Sequence, residues 1–384
     1  MDRDVYVAGC GVTPFGNRWR ASAADLAAEA CSAALADAGI ELDAVDAAWV
    51  GAFYPATGIG GSFLVDAIGC GSIPITHVEN MCATGLDAFR HACLAVAAGQ
   101  CEVALVCGVD KLTDNSGRGL PPEPATPAMA KLVDVNQFGF MATASFARWG
   151  WDRDDLVAVA VKNLGNGDAH PKAHLHLRPT AEEVVGAPIV SWPLGMHDCC
   201  SVADGAAAVI VTAGPVARAT THRDTLVKVR AVSAASAVSH PFWDPDFELD
   251  GFAATREAAR TAYRDAGIAR PVDEIDLVEV HDCFTITELL DVQDLGLCAP
   301  GEGAGFVRSG AADVDGTVAV NPSGGLKAFG HPIGATGVRM VQEITRQLQG
   351  RAEGRQVPGA ATGMAQNLGG LGGVCLIAIL GRDD

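Results

Sequence analysis

The 384 residues predict an α/β protein built from two similar halves, with a large lobe inserted into the first. Three observations carry that expectation: an internal repeat, strand patterns alternating with helix patterns, and a central stretch that has no repeat partner. Ala36-Asp37-Ala38-Gly39-Ile40 returns as Arg264-Asp265-Ala266-Gly267-Ile268. Each copy closes an Ala-rich amphipathic helix, expected over 24–38 and 252–266, with glycine in the position that most often ends a helix. An Asp-containing loop and an apolar strand follow in each copy, over 47–53 and 275–280. Cys82-Ala83-Thr84-Gly85-Leu86 then aligns with Gly334-Ala335-Thr336-Gly337-Val338, each opening a helix. Asp204-Gly205 before the strand 206–212 mirrors Gly372-Gly373 before the strand 374–380. Such alternation predicts mostly parallel sheets covered by helices. The first half is expected over 1–225 and the second over 226–384. The unmatched lobe, rich in Pro, His and Lys, spans about 113–192.

Composition narrows the function. Hydrophobic residues at 49% against 19% charged supply a well-buried core. A net charge of −19 argues against nucleic acid and anionic membranes as main partners, so a phosphate-bearing ligand needs a local basic patch; Lys162, Lys172 and Arg178 are either that patch or solvated loop charges. Met1 to Tyr6 lacks the apolar core of a signal peptide, and no apolar run approaches the roughly 18 residues of a membrane span. The last residues are not a peroxisomal Ser-Lys-Leu address. The twelve cysteines are scattered without the paired spacing of a zinc site, which fits buried thiols in a reducing cytoplasm.

Four segments bear chemistry. Cys82 follows a short strand pattern (75–78) and opens an apolar helix running to about residue 98. A thiol there feels the positive end of the helix dipole and can use its own N–H as an oxyanion donor. A packing cysteine would need neither. His331 sits in the glycine-rich run Asn321-Pro322-Ser323-Gly324-Gly325 through Gly330-His331-Pro332-Ile333-Gly334, outside any helical or strand period; it is as compatible with capping the next helix as with a catalytic base. His281-Asp282-Cys283-Phe284 comes directly after a strand, where α/β folds place their sites. It offers a donor or base, an orienting carboxylate and a second thiol, with Asp282 alternatively an N-cap. Asn367-Leu368-Gly369-Gly370-Leu371-Gly372-Gly373 precedes the last strand and either presents backbone N–H groups or forms a tight turn. His170, His174 and His176 lie among Lys172 and Arg178, which disfavour a cation, so no metal is expected. Phe138, Phe140 and Met141 either line an acyl tunnel or belong to the core.

Together these motifs resemble the thiolases over essentially the whole chain, and within them the sterol-carrier-protein-type branch and its bacterial and archaeal relatives. The elements that carry the resemblance are Cys82-x-Thr84, His281-Asp282-Cys283-Phe284 and Gly330-His331-Pro332 with Gly334-Ala335-Thr336-Gly337, in the family order. The resemblance implies the thiolase fold: two pseudo-symmetric βαβαβ-type halves forming a five-layer αβαβα core, with the inserted loop lobe over the pantetheine arm of a thioester. It implies an acetyl-CoA C-acyltransferase that forms an acyl-enzyme on Cys82 and makes or breaks a C–C bond of a 3-ketoacyl-CoA. His331 would activate Cys82, then join His281 in holding an enolate or thioester oxyanion. Cys283 would be the acid/base at the acetyl carbon. The N–H groups of Cys82 and Gly369 would form a second oxyanion hole, with Asn367 and Met141 contributing to the substrate site. Better-known thiolases carry a catalytic Cys-x-Gly where this chain has Asn367-Leu368-Gly369; Cys283 supplies that thiol from another loop, as in the sterol-carrier-type branch. The implied partners are acyl-CoA and coenzyme A, as substrate and product with no resident cofactor, and a second copy of the chain in a homodimer or tetramer. A small partner protein with an OB-fold and a zinc ribbon, used by some relatives, stays open. So do a retro-aldolase or acyltransferase of sterol or polyketide metabolism, and an acyl-CoA-binding subunit.

Overall fold

The computed structural model describes residues 3–54, 60–115, 134–220, 225–238 and 249–383. Residues 116–133 of the expected lobe lie outside these, as do Met1, Asp2 and Asp384 of the terminal segments.

The first half runs β1 (Val5–Val12), α1 (Ala23–Ala38), β2 (Ala47–Gly51), β3 (Ile75–Val78), α2 (Thr84–Ala97) and β4 (Val103–Asp110), then crosses the lobe to β5 (Gly205–Ala213). The second runs β6 (Leu226–Ser236), α3 (Ala253–Ala266), β7 (Leu277–Glu279), α4 (Thr285–Asp294), β8 (Ala319–Val320), α5 (Ile333–Leu348), β9 (Thr362–Gly369) and β10 (Val374–Asp383). The repeat is visible in local conformation: α1 ends on Gly39 at φ 66° and α3 on Gly267 at φ 70°. The start of α1 is fixed by Ser22, whose hydroxyl accepts the Asp25 N–H while the Asp25 carboxylate accepts the Ser22 N–H.

The strand order is β8-β7-β9-β10-β6-β1-β5-β4-β2-β3. Each half therefore has the same order, β3-β2-β4-β5-β1 in the first and β8-β7-β9-β10-β6 in the second. The halves are joined edge to edge by β1 and β6, antiparallel at Tyr6–Lys228 and Val7–Val227. The expectation of mostly parallel sheets is corrected. Within each half two strand pairs are parallel (β2 with β3 and β4; β7 with β8 and β9), and two are antiparallel. The cause is a hairpin. β9 turns into β10 through Gly370 and Gly372, both at positive φ, which no βαβ crossover could do. β4 and β5 form the corresponding hairpin, and the lobe is an insertion at its tip. Its described part holds the helices Asp134–Trp149, Arg153–Asp168 and Ala181–Gly186 and a small two-stranded ribbon.

Helix α1 covers β1 and β5 on one outer face, and α3 covers β6 and β10 on the other. Helices α2 and α5 pack on one another and each touches strands of both halves, α2 on β4 and β10, α5 on β5 and β9. This is the five-layer arrangement. Every residue of α5 except Arg346 is buried, as a helix between two sheets must be. The two central helices cross where a side chain cannot fit. A Cβ on Gly85 would stand 2.5 Å from the Gly334 carbonyl, and one on Gly337 only 2.2 Å from the Leu86 nitrogen. Close crossing at these repeat-equivalent glycines brings the two helix N-termini together, with Cys82 just ahead of one and His331 just ahead of the other.

Candidate active site

Cys82 is delivered by a strained turn. Met81 is one of three described non-glycine residues at positive φ, at 51°, a conformation that costs energy and recurs at functional sites. Thr84 holds the turn closed: its hydroxyl donates to the Met81 carbonyl at 2.6 Å and accepts the Asn80 N–H at 2.8 Å. Helix α2 begins at Thr84, so Cys82 lies two residues outside it and 6% exposed.

The sulfur of Cys82 and imidazole nitrogens of His281 and His331 all lie within 4.8 Å of one another. The two rings meet edge to face with centroids 5.1 Å apart. Cys283 joins them in lining the same cleft, with Met81, Gln137, Phe138, Cys200, Phe284, Gly370 and Leu371. The four groups expected to meet do meet.

Hydrogen bonds set the proton on each ring. Thr336 Oγ1 lies 2.7 Å from His331 Nδ1 and donates its own hydrogen to the Pro332 carbonyl at 3.0 Å. A hydroxyl has one hydrogen, and with it on the Pro332 carbonyl the Thr336 oxygen accepts from Nδ1–H. His331 then presents a bare Nε2, which is buried and has no partner among the described residues. For His281 the logic is reversed. Asn367 Nδ2 donates to its Nδ1 at 3.0 Å, leaving the hydrogen on Nε2. One imidazole accepts a proton and the other donates a hydrogen bond. Both rings are held neutral: burial, reinforced by the Arg339 guanidinium, pushes His331 down to about 3, and burial with His331 and Arg339 pushes His281 well below its usual range. A neutral, desolvated base next to a thiol suits nucleophile activation. Burial also pushes the Cys283 thiol well above its usual range, so it rests as a proton donor.

Several expectations need correction. Asp282 does not orient His281, nor does it cap α4, whose N-cap is Phe284. Its carboxylate accepts Leu326 N–H at 2.6 Å and Asn163 Nδ2–H at 2.8 Å, tying the Cys283 loop to the His331 loop and the lobe. The His281 Nδ1 it would have met is taken by Asn367. Met141 is fully buried in the core, while Phe138, stacked on Phe284 at 4.6 Å, takes the lining position; Phe140 is exposed. The basic patch dissolves. Lys162 pairs with Glu288, Arg178 with Asp168, and Lys172 donates to the Val12 carbonyl. The three lobe histidines serve separate partners: His170 faces Glu343, His174 Ser201, and His176 the Asp168 carbonyl. Gly369 lies where a Cβ would stand 2.8 Å from the Asn80 carbonyl and 3.4 Å from Ala83, directly beside the Cys82 turn.

Sequence reasoning missed the roles of Thr336 and Asp110. The signal for Asp110 was an acid ending an otherwise apolar strand. Its carboxylate accepts N–H groups from Phe53, Tyr54 and Gly334 at 3.2, 2.9 and 2.5 Å. It thereby anchors the loop that carries His331, and it ends β2 at Gly51, short of the expected 53. Burial pushes Asp110 up to about 7 from 3.8. With its folded value raised, its stabilisation is complete below about 3.8 and is lost as pH climbs through 7. Asp110→Asn cannot ionise, so its unfolding free energy should gain on the parent's as pH rises toward 7, by roughly 1.4 kcal/mol per pH unit, and level off above. A pH-independent gap would contradict this. For Thr336→Val, loss of the Nδ1 acceptor should lower kcat at least about tenfold, a share of the 10²–10⁴ a positioned base contributes, at a near-parental KM.

A buried thiol beside two imidazoles, carried by a strained turn on a twofold-repeated α/β frame, is the site of an acyltransferase fold. The chain belongs to the thiolase family: the thiolase N-terminal domain matches residues 5–178, and the thiolase C-terminal domain-like family matches residues 235–382. Over 99% of its length it is 38% identical to an acetyl-CoA acetyltransferase of Methanothermobacter thermautotrophicus, all of which it covers. It is 32% identical over 98% of its length to human sterol carrier protein 2, of which it covers 72%. Among solved structures, the Ltp2-ChsH2(DUF35) aldolase superposes with a TM-score of 0.86 at 23% identity, covering 99% of this chain and 98% of that one. At that identity the likeness speaks for the fold alone.

Proposed function

We propose that the chain is an acetyl-CoA C-acyltransferase, making or cleaving 3-ketoacyl-CoA by way of an acyl-enzyme on Cys82. The observation that carries the reading is one thiol with two imidazoles, the ligand atoms of all three within 4.8 Å of one another. In condensation, His331 Nε2 takes the Cys82 proton as sulfur attacks acetyl-CoA. The departing CoA thiolate takes the Cys283 proton and leaves as CoA, with Cys283 a thiolate. That thiolate removes the methyl proton of a second acetyl-CoA. The enolate oxygen is held by His281 Nε2–H, and the enolate carbon attacks the acyl carbon on Cys82. The Cys82 thiolate leaves and recovers its proton from His331. Protons balance over the cycle, and thiolysis is the reverse. The N–H groups of Cys82 and Gly369 are the donors for the tetrahedral oxyanion.

The substrate is an acyl-CoA thioester, and coenzyme A is the only cofactor-like molecule the scheme uses. We place the protein in the cytoplasm as a homodimer or tetramer. No helix among the described residues is long and apolar enough to cross a membrane. A small second subunit is also proposed, since a relative from Thauera aromatica, 32% identical over 93% of this chain, is called a benzoylsuccinyl-CoA thiolase subunit. The aldolase among the structural neighbours keeps one rival in view, but aldol cleavage needs no acyl-enzyme and leaves Cys82 and its strained turn without a task. Intact-protein mass spectrometry after mixing with acetyl-CoA decides between them. The proposal expects one acetyl group, mapped to Cys82 and released by CoA; no adduct, with cleavage of a 3-hydroxyacyl-CoA instead, would replace it with the aldolase.

A further inference from the structure

Cys200 lines the cleft and has no task in that scheme. A strand pairing places it there. The segment that leads from the lobe to β5 meets the His281–Phe284 segment through an antiparallel bridge between Cys199 and Phe284. Antiparallel register then sets Cys200 opposite Cys283, and the Cys200 N–H donates to the Cys283 carbonyl at 2.9 Å. Directly opposed residues of such a pair project to the same side, and both cysteines line the one cleft. Cys199, the next residue of its strand, projects to the other side; its thiol donates to the Gly195 carbonyl at 3.5 Å.

Opposed residues that share a backbone hydrogen bond have Cα atoms about 5.5 Å apart. That lies inside the roughly 4.4–6.8 Å over which a disulfide closes without moving the backbone. The pairing is selective. Among the described residues no strand pair of the main sheet sets one cysteine opposite another: Cys10 faces Val209, Cys107 faces Ala208 and Val50, and Cys375 faces Ala235 and Leu368. Cys200 is half-buried and Cys283 buried, each on the cleft that the acyl-CoA reading fills with the pantetheine arm. A disulfide of coenzyme A carries the same arm, and so has a route to both sulfurs.

We propose that Cys200 and Cys283 form a dithiol that reduces coenzyme A disulfide and closes as a Cys200–Cys283 disulfide, switching the carbon–carbon chemistry off. Cys283 attacks one sulfur of the coenzyme A disulfide. A bond forms between Cys283 and that sulfur, the coenzyme's own S–S bond breaks, and the leaving CoA thiolate takes the Cys283 proton. Cys200 then attacks Cys283 in the mixed disulfide, and the second CoA thiolate leaves with the Cys200 proton. Two protein thiols are oxidised and one coenzyme disulfide is reduced to two CoA thiols, so electrons and protons balance. The first proton transfer is the one that the condensation scheme already assigns to Cys283 and a departing CoA thiolate. With Cys283 held in a disulfide that acid/base is gone, while Cys82 keeps its thiol. The inference rests on the reading of the cleft as a coenzyme A site with Cys283 as its acid/base.

The test incubates the protein with coenzyme A disulfide in the absence of reductant, maps its peptides by mass spectrometry and measures condensation beside them. In the parent the peptides of Cys200 and Cys283 should be recovered joined. Condensation should be at least about a hundredfold slower in the oxidised protein, the share of a lost acid/base, and dithiothreitol should restore it. Cys82 in the oxidised protein should still be alkylated by iodoacetamide. Cys200→Ser keeps the backbone bond to Cys283 but cannot complete the second step, so it should trap CoA on Cys283. Each protein is compared with its own reduced form, and the parent's map decides alone where the variant fails to fold. Cys283 joined to another cysteine, inactivation that tracks CoA attached to Cys82, or a Cys200→Ser protein without the Cys283 adduct overturns the proposal. Proton NMR of acetyl-CoA methyl exchange in D2O, run on Cys283→Ala, tests the reading beneath it. Exchange that survives there overturns the acid/base role of Cys283 and leaves the disulfide map standing, which separates the two failures.

Discussion

Cys82→Ser should abolish acyl transfer while leaving the fold intact. The exchange removes no hydrogen-bonding capacity and little volume, at a position already outside the helix it precedes, so the Met81 turn and the Thr84 bonds that close it are retained. What it removes is acidity. A serine hydroxyl must be deprotonated by its base in the attack itself, and the base here is an imidazole that burial and Arg339 hold down to about 3. A thiol, which is more acidic and more nucleophilic than an alcohol, needs less help from such a base than a serine hydroxyl would. Removing a nucleophile from a cooperating set costs up to about 10⁶ in kcat; a loss of at least about 10³ is expected for both thiolysis and condensation, together with disappearance of the acetyl adduct. A serine variant retaining a tenth of the parent kcat would mean that the nucleophile is elsewhere.

Much of this site was legible in the sequence because the fold repeats. Gly85 and Gly337 mark repeat-equivalent helix starts, and a protein with two such starts brings them together at its pseudo-twofold axis; that alone sets Cys82 beside His331. His281 and Cys283 were legible from the end of a strand pattern, a position set by backbone topology. The illegible parts depend on side chains reaching across the fold. Nothing local shows that Asn367 on β9 meets His281 or that Asp110 on β4 holds Gly334. Lys162, Lys172 and Arg178 misled for the same reason: their charge was visible and their partners were not. The mixed strand directions were missed because a hairpin interrupted by a long lobe has, in sequence, the appearance of two unconnected strands.

His281→Ala should slow condensation by about 10²–10³, the effect of removing one preorganised oxyanion donor, or about 2.7–4 kcal/mol of barrier. The ring is 2% exposed, and its Nε2–H meets the developing enolate in a site from which water is largely excluded, where a hydrogen bond to an anion is strongest. Its backbone is held independently of the ring: the N–H donates to Gln366 Oε1 and the carbonyl accepts the Thr287 hydroxyl, each at 2.9 Å. The variant should therefore keep the loop, and the intact Asp282 contacts should keep Cys283 in place. Alkylation of Cys82 should stay near the parent rate while methyl exchange and condensation fall together. Asn367 sharpens the test. Its Nδ2–H reaches His281 Nδ1, and its Oδ1 has no partner among the described residues, so its influence on the chemistry passes through that ring. Asn367→Ala alone should cost about tenfold or more by freeing the tautomer. Added to His281→Ala it should cost almost nothing, a non-additivity that independent packing defects do not produce. Additive losses in the double variant would show that Asn367 acts on the substrate directly and that the donor assigned to His281 lies elsewhere.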